Sequence, residues 1–241
     1  MKKIVWNYLI ATIAVSAVFT ACDNDDATPE TTKTPETSIV NNNISVAVSD
    51  VDAEVENVKL LVNSEINVDW VLDEETGKII GSTTTVTGEE IARGSFSGGI
   101  LTMNLPATVD NKYLQPMFDD MEVPAGVSMS NGNTKGTGGV FLVGYDKDEN
   151  ETGLFFYGKF DEETKQIIAA ALVYMDNDLI ITGSFSDDDG IIKSTISYDC
   201  NFRKGWNFMY ILFSGDAEGR LIGRTTTENP GGLKWFFGKL N

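Results

Sequence analysis

Histidine is absent from this chain of 241 residues. That absence removes Ser-His-Asp and Cys-His nucleophilic catalysis, imidazole general bases and the usual zinc sites built from His and Cys. Cysteine occurs only twice, at Cys22 and Cys200. Basic residues are also scarce, with 18 Lys and Arg against 36 Asp and Glu. Nucleic acid and anionic membrane surfaces attract cations, so neither is an expected partner, and no basic patch is available to hold one. Long apolar runs are missing as well. The longest, Ile4 to Phe19, spans 16 residues and contains Asn7, short of the ~20 needed to cross a bilayer as a helix.

What that N-terminal segment does contain is the three-part layout of a secretory signal. Lys2 and Lys3 supply positive charge, Ile4 to Phe19 the apolar region, and Thr20-Ala21 the small residues before Cys22. Residues 1–21 read as a signal peptide, with Cys22 becoming the lipid-modified N-terminus of the mature chain. Acyl chains contribute about 0.8 kcal/mol per buried CH₂, so the lipid on Cys22 would anchor the protein without help from charge. Lipidation would also consume one of the two cysteines. Cys200 is then alone, no internal disulfide is expected, and its otherwise apolar face marks it as an inert core thiol. The mature chain keeps 16 basic and 36 acidic residues, a net charge of −20.

Phe19-Thr20-Ala21-Cys22 resembles a lipobox, with Phe19 standing where that motif usually carries an aliphatic residue. The acids that follow, Asp23-Asn24-Asp25-Asp26, resemble the export signal of surface lipoproteins in Bacteroidota. The resemblance covers about ten residues. It implies an outer-membrane, surface-exposed location and nothing about activity.

Residues 23–43 are rich in Asp, Thr, Pro, Glu and Asn and cannot bury enough surface to offset the entropy of ordering. Residues 22–43 are therefore expected to form a lipidated tether reaching on the order of 25 Å. The body, residues 44–241, reads as β. Ile66, Val68, Trp70 and Leu72 alternate with Asn67 and Asp69; Ile192, Ile196, Tyr198, Cys200 and Phe202 alternate with Lys193, Thr195, Ser197, Asp199 and Asn201. Turn-forming clusters divide the rest into short apolar runs. The expectation is an all-β fold, an antiparallel meander of about ten to thirteen strands forming a sandwich or a barrel. Asp73 to Thr76 recurs as Asp161 to Thr164, and Gly94 to Ser97 as Gly183 to Ser186. Two similar β units give that pattern, and so does reuse of good turn residues.

Residues 104–138 interrupt the body as one irregular insert, and a split into two domains there is the alternative. The segment holds Pro106, Pro116 and Pro124, with Met117, Met121 and Met129. A long segment without strands inside a domain is usually functional, a linker or disordered. A short helix is expected around Lys112 to Met121, placing Met117 and Met121 on one face beside Phe118 and Tyr113.

Seventeen of the 36 acids fall in six expected hairpin tips, where Asp favours turns and charge stays solvated. No carboxylate pair stands out as catalytic. Asp146, Asp148 and Asn150 begin like a calcium loop, but Glu151 replaces the sixth-position glycine and Tyr157 the twelfth-position glutamate. No cofactor is expected. The aromatic residues offer more. Trp70 should lie in the core. Trp206 to Ser214, Leu154 to Phe160 and Trp235-Phe236-Phe237 carry large apolar side chains on both faces, as strands between two layers do. Trp206, Trp235, Tyr157, Tyr113 and Phe118, with Met117 and Met121, are the candidate ligand-binding residues, for a glycan or a small apolar ligand. A structural or adhesive protein with a protein partner is the alternative, and a carboxylate-dependent hydrolase comes third.

Overall fold

The structure is a computed structural model that describes residues 42–49, 51, 53–72, 79–118, 123–161, 164–188, 193–216 and 218–240. Fifteen strands form the body. The first four are β1 (Asn43–Ser49), β2 (Asn57–Leu72), β3 (Ile79–Ser97) and β4 (Ile100–Asn104). A 3₁₀ turn at Asn111–Tyr113 follows, then three short strands, β5 (Leu114–Pro116), β6 (Val127–Met129) and β7 (Lys135–Thr137). The remainder are β8 (Val140–Tyr145), β9 (Glu151–Asp161), β10 (Gln166–Met175), β11 (Leu179–Asp188), β12 (Lys193–Phe202), β13 (Gly205–Gly215), β14 (Leu221–Thr226) and β15 (Lys234–Lys239). The all-β expectation holds.

Seven strands close into a barrel in the order β1-β4-β3-β2-β8-β9-β15, and β15 returns to β1. The barrel takes four strands from before the 104–138 segment and three from after it. Alternation fills its interior. Ile44 faces Met103, Leu60 faces Leu142, Leu142 faces Phe155, Phe155 faces Phe237, and Tyr157 faces Trp235. Glycines make room at one level: a β-carbon on Gly144 or Gly153 would meet the Phe237 ring. Two pairings depart from a pure antiparallel meander, because β1 runs parallel to β15 and β12 parallel to β14.

The long β2–β3 hairpin outgrows the barrel. A bulge at Asn63, whose φ is +50°, bends it. Ile66 and Val86 then pack against Tyr145, Leu154 and Phe156 on the barrel's outer face. The row of alternating apolar residues runs past that contact, so Val68 is 41% exposed and not in a core. The side chain of Trp70 lies outside the described residues.

β9 is where the sheet forks. Phe155 pairs with β8 on one edge and β15 on the other, whereas Tyr157 pairs with β10 and β15. β8 and β10 therefore share one edge of β9 in succession, and the chain of strands leaves the barrel as β10-β13-β14-β12-β11-β6. β13 accordingly lies between two layers. Tyr210, Phe208 and Leu212 join the barrel core, while Met209 and Ile211 join a second core. The aromatic residues on both faces of this strand have the reason expected of them.

The 104–138 segment contains three short strands where one irregular insert without strands was expected. The helix expected around Lys112 to Met121 is replaced by the 3₁₀ turn and β5. Pro116 supplies the reason: it disfavours helical backbone at Gln115 and lacks the N–H a helix needs. Residues 119–122, including Met121, lie outside the described residues. The two Gly-Ser-Phe-Ser copies occupy different settings. Phe96 points into the barrel and Phe185 into the second core.

Candidate functional site

Three residues, 176–178, connect β10 to β11, yet five strands stand in order from one to the other through β13, β14 and β12. A sheet whose first and last strands are joined so tightly must curl. The insert stitches that seam. β7 pairs with β10 at Gly136 and Met175, and β6 pairs with β11 from Val127 to Met129. Lys135 and Asp176 exchange hydrogen bonds, the Lys135 N–H donating to the Asp176 carboxylate at 2.9 Å and the Asp176 N–H to the Lys135 carbonyl at 3.0 Å. Tyr174 N–H donates to Thr137 Oγ1 at 3.0 Å.

The seam closes one end only. At that end Met175, Leu179, Ile181, Cys200, Phe202 and Met209 are all buried. Toward the other end β11 loses its β6 partner after Gly183 while keeping β12, and the same face carries Phe185, Ile196, Tyr198, Ile211 and Phe213, each only half-buried. The result is a cup: a packed floor, walls of sheet and a mouth between β11 and the start of β10. Small residues stand at successive levels of this face, Gly223 beside Phe213 and Ile196, Ala169 and Gly183 one pair deeper, and Ala171 beside Met209 of the floor. Phe213 and Ile196 flank Gly223, where a β-carbon would come within 3.2 Å of the one and 3.4 Å of the other. Gly183 has φ +111° and lies so close to the Gly126 carbonyl that a β-carbon would overlap it, which fixes glycine there.

Aromatic rings gather on one wall. Tyr198 and Phe185 lie with planes 15° apart and centroids 6.3 Å apart, and Phe118 meets Tyr198 edge-on at 6.2 Å. Met117 reaches the same core, its sulfur near that of Met175 beside Gly136. Asp187, two residues beyond Phe185 on β11 and opposite Ser194, puts an exposed carboxylate at the rim of this face, and the strands deeper in carry no charged side chain from a described position. The polar groups are Thr225, Tyr198 and Cys200; the Cys200 thiol donates to the Thr225 carbonyl at 3.4 Å, and burial pushes its pKa up to about 12.

Of the residues singled out from sequence, Phe118 and Met117 join the cup. Tyr157 and Trp235 are placed elsewhere, stacked at 5.0 Å in the barrel core with exposures of 5% and 6%. They border a cavity of about 30 Å³ at the fork, shared with Leu142, Phe155, Leu172 and Phe208, the space of roughly one water molecule. Trp206 packs edge-on against Tyr174, and its indole N–H donates to the Pro106 carbonyl at 2.8 Å. Tyr113 lies under the Lys112 ammonium at 4.4 Å, in the 3₁₀ turn. Phe185, Ile196 and Tyr198 carried a signal in the sequence, the alternation of β12 and the Gly-Ser-Phe-Ser strand, which reports which face is apolar but not whether that face is covered.

The loop that begins like a calcium site is a self-bonded turn. The Asp146 carboxylate accepts from the N–H groups of Asp148 and Asn150 and from the Asn150 amide, and these bonds, the Asn150 amide first, hold its pKa below the ordinary value. Among the described residues no group of three or more Cys, Asp and Glu side chains is placed to hold a metal ion. A charged cluster lies on the barrel's outer face instead. Glu149 bridges Lys59 at 2.6 Å and Arg93 at 2.7 Å, and Lys59 sits 3.8 Å above the Tyr145 ring. Every acid there has a basic or hydrogen-bonding partner, an arrangement that ties the β8–β9 hairpin to β2 and β3. Comparison with protein-family models, curated proteins and solved structures finds no match for this chain.

Proposed function

We propose that the protein is a lipid-anchored, surface-exposed outer-membrane protein that binds a small apolar ligand in the cup without catalysing a reaction. The observation that carries this is the row of large, uncharged, half-buried side chains at the cup's mouth above a fully packed floor. Protein surfaces rarely leave such a contiguous apolar face wet unless something covers it, and concave apolar sites with a few polar groups are where small ligands bind. The same composition favours an apolar ligand over a glycan, which needs several amide or carboxylate partners, whereas the described cup face carries a carboxylate only at its rim, on Asp187. A hydrolase needs two converging carboxylates, and the described positions of this face offer Asp187 without a second. Anchoring and address rest on the signal segment, Cys22 and the acids behind it. The test is titration with an apolar fluorescent dye. Phe185→Ser with Ile196→Ser should weaken binding by about tenfold or more while leaving the fold intact by circular dichroism; unchanged binding would refute the cup as the site.

Protein binding is the second function that a specific feature favours. Among the described residues Ile79 to Thr87 of β3 pair only with β2, and this stretch contains no charge and no proline. Exposed strand edges are usually blunted by such residues. Here the Glu151 carboxylate takes the Val86 N–H at 3.1 Å, leaving Ser82 to Thr85 as the open length. Thr84→Lys should abolish self-association measured by light scattering if this edge pairs between molecules, and a monomeric wild type would remove the idea.

A further inference from the structure

The open edge of β3 offers hydrogen-bonding groups that can be placed one by one. Val86 gives its main-chain N–H to the Glu151 carboxylate, so the main chain there faces away from β2. In an antiparallel ladder that direction alternates along the strand. Ser82 and Thr84 therefore present their N–H and C=O outward, while those of Thr83 and Thr85 turn toward Asp69 and Asn67 on β2. The open run stops on both sides. Glu151 closes it at Val86, its other oxygen accepting from the Tyr145 hydroxyl at 3.3 Å. At the far side the register shifts between Val71, opposite Gly81, and Leu72, opposite Ile79, which leaves Ile80 out of the ladder. Only Ser82 and Thr84 remain outward in regular strand, and among the described residues nothing bonds their main chain on that side.

We infer, resting on the reading of this edge as a protein-binding surface, that its partner is a second copy of the same chain, paired antiparallel about a two-fold axis at Thr83, with Glu151 setting the register. About that axis Ser82 of one copy lies opposite Thr84 of the other, and every outward N–H and C=O of the open run finds a partner. A two-fold one residue further on, at Thr84, sets Ser82 opposite Val86. Glu151 already holds that N–H, so the Ser82 carbonyl is left without a donor.

Reach and charge fit the same partner. Thr84 stands opposite the exposed Val68, beyond the contact that Ile66 and Val86 make with the barrel, where a second molecule can meet it. The chain has a net charge of −18, which repels a copy at long range, but Ile79 to Thr87 contributes none of it. A strand edge without charge or proline lacks the usual protection against pairing with its own kind. Glu151 lends a charge from β9, and that charge covers only the rung at Val86.

Disulfide cross-linking of the full-length chain reads the register. In a non-hydrogen-bonded antiparallel pair the Cα atoms are ~4.5 Å apart, within disulfide range. Thr83→Cys puts such a pair on the axis, whereas two copies of Thr84→Cys stand diagonally, at about 7–8 Å and too far to bridge. Oxidation should give severalfold more cross-linked dimer from Thr83→Cys than from Thr84→Cys, with wild type, which keeps Cys22 and Cys200, as the blank. A wild type that self-associates in light scattering without this preference overturns the inference and leaves the edge as a binding surface. A monomeric wild type with no dimer above the blank removes both. Glu151→Ala frees the Val86 N–H, and Glu151→Asp, one methylene shorter, withdraws from it. Either change adds Val86 to the open run and should move the cross-linking preference from Thr83 to Thr84. A preference still at Thr83, in whichever variant keeps the wild-type circular dichroism, overturns the role of Glu151.

Discussion

At the scale of single residues, burial decides chemistry. Cys200 is 2% exposed, and desolvation of the thiolate is the largest cause of its raised pKa of about 12. The thiolate is the reactive form, so native protein should react negligibly with Ellman's reagent between about pH 7 and pH 10, while protein in denaturant reacts at once. A fast native reaction would show that the floor of the cup opens. Glycine positions make a second single-residue case. A β-carbon on Gly153 would overlap the Phe237 ring, whereas one on Gly215 meets nothing. Gly153→Ala should therefore destabilise by about 1–3 kcal/mol, the usual cost of overpacking a core. Gly215→Ala should be neutral or slightly stabilising, because it restricts the unfolded chain. Urea unfolding of both variants distinguishes them.

At the scale of elements, alternation in the sequence reported faces faithfully and partners hardly at all. Trp206 to Ser214 was legible as a strand between two layers because large apolar residues fall at both parities. Its actual partners, β10 and β14, depend on a fork at β9 that no period in the sequence encodes. The same limit explains Val68. A strand that alternates cleanly looks half-buried whether or not anything lies beneath it, and the β2–β3 hairpin runs beyond its support. Tyr157 and Trp235 were legible as important rings, but a stack in a core and a stack on a ligand have the same residues. The insert was legible as a break and not as a seam, since three-residue strands leave no periodic trace. One of its anchors can be tested by itself. Trp206→Phe keeps the edge-on contact with Tyr174 and deletes the hydrogen bond to Pro106. It should cost about 1 kcal/mol, read as a lower urea midpoint with an unchanged slope; no loss would show that the insert is held by its strands alone.

At the scale of the whole molecule, acids outnumber bases two to one, and the question is whether protonating them helps or harms the fold. Relief of self-repulsion favours mild acid. Opposing it are carboxylates whose native partners hold their pKa values down: Glu149 through Lys59 and then Arg93, Asp216 through the Arg220 N–H, and Asp146 through Asn150. A depressed carboxylate contributes stability that is fully present above its unfolded pKa and is lost as pH falls through its folded pKa. Their joint contribution therefore persists through neutral pH and disappears below about pH 4, the range of ordinary carboxylates. Glu149 is the strongest test, because its ion pairs tie the β8–β9 hairpin to Lys59, which is mostly buried, and to Arg93. Glu149→Gln keeps the shape and removes the charge. The variant should be less stable than wild type at pH 7, and the two thermal unfolding midpoints should converge as pH drops below the folded pKa of Glu149. Parallel curves across that range would mean that the cluster contributes through packing alone, and that the net negative charge of the body, not its local pairing, governs its response to acid.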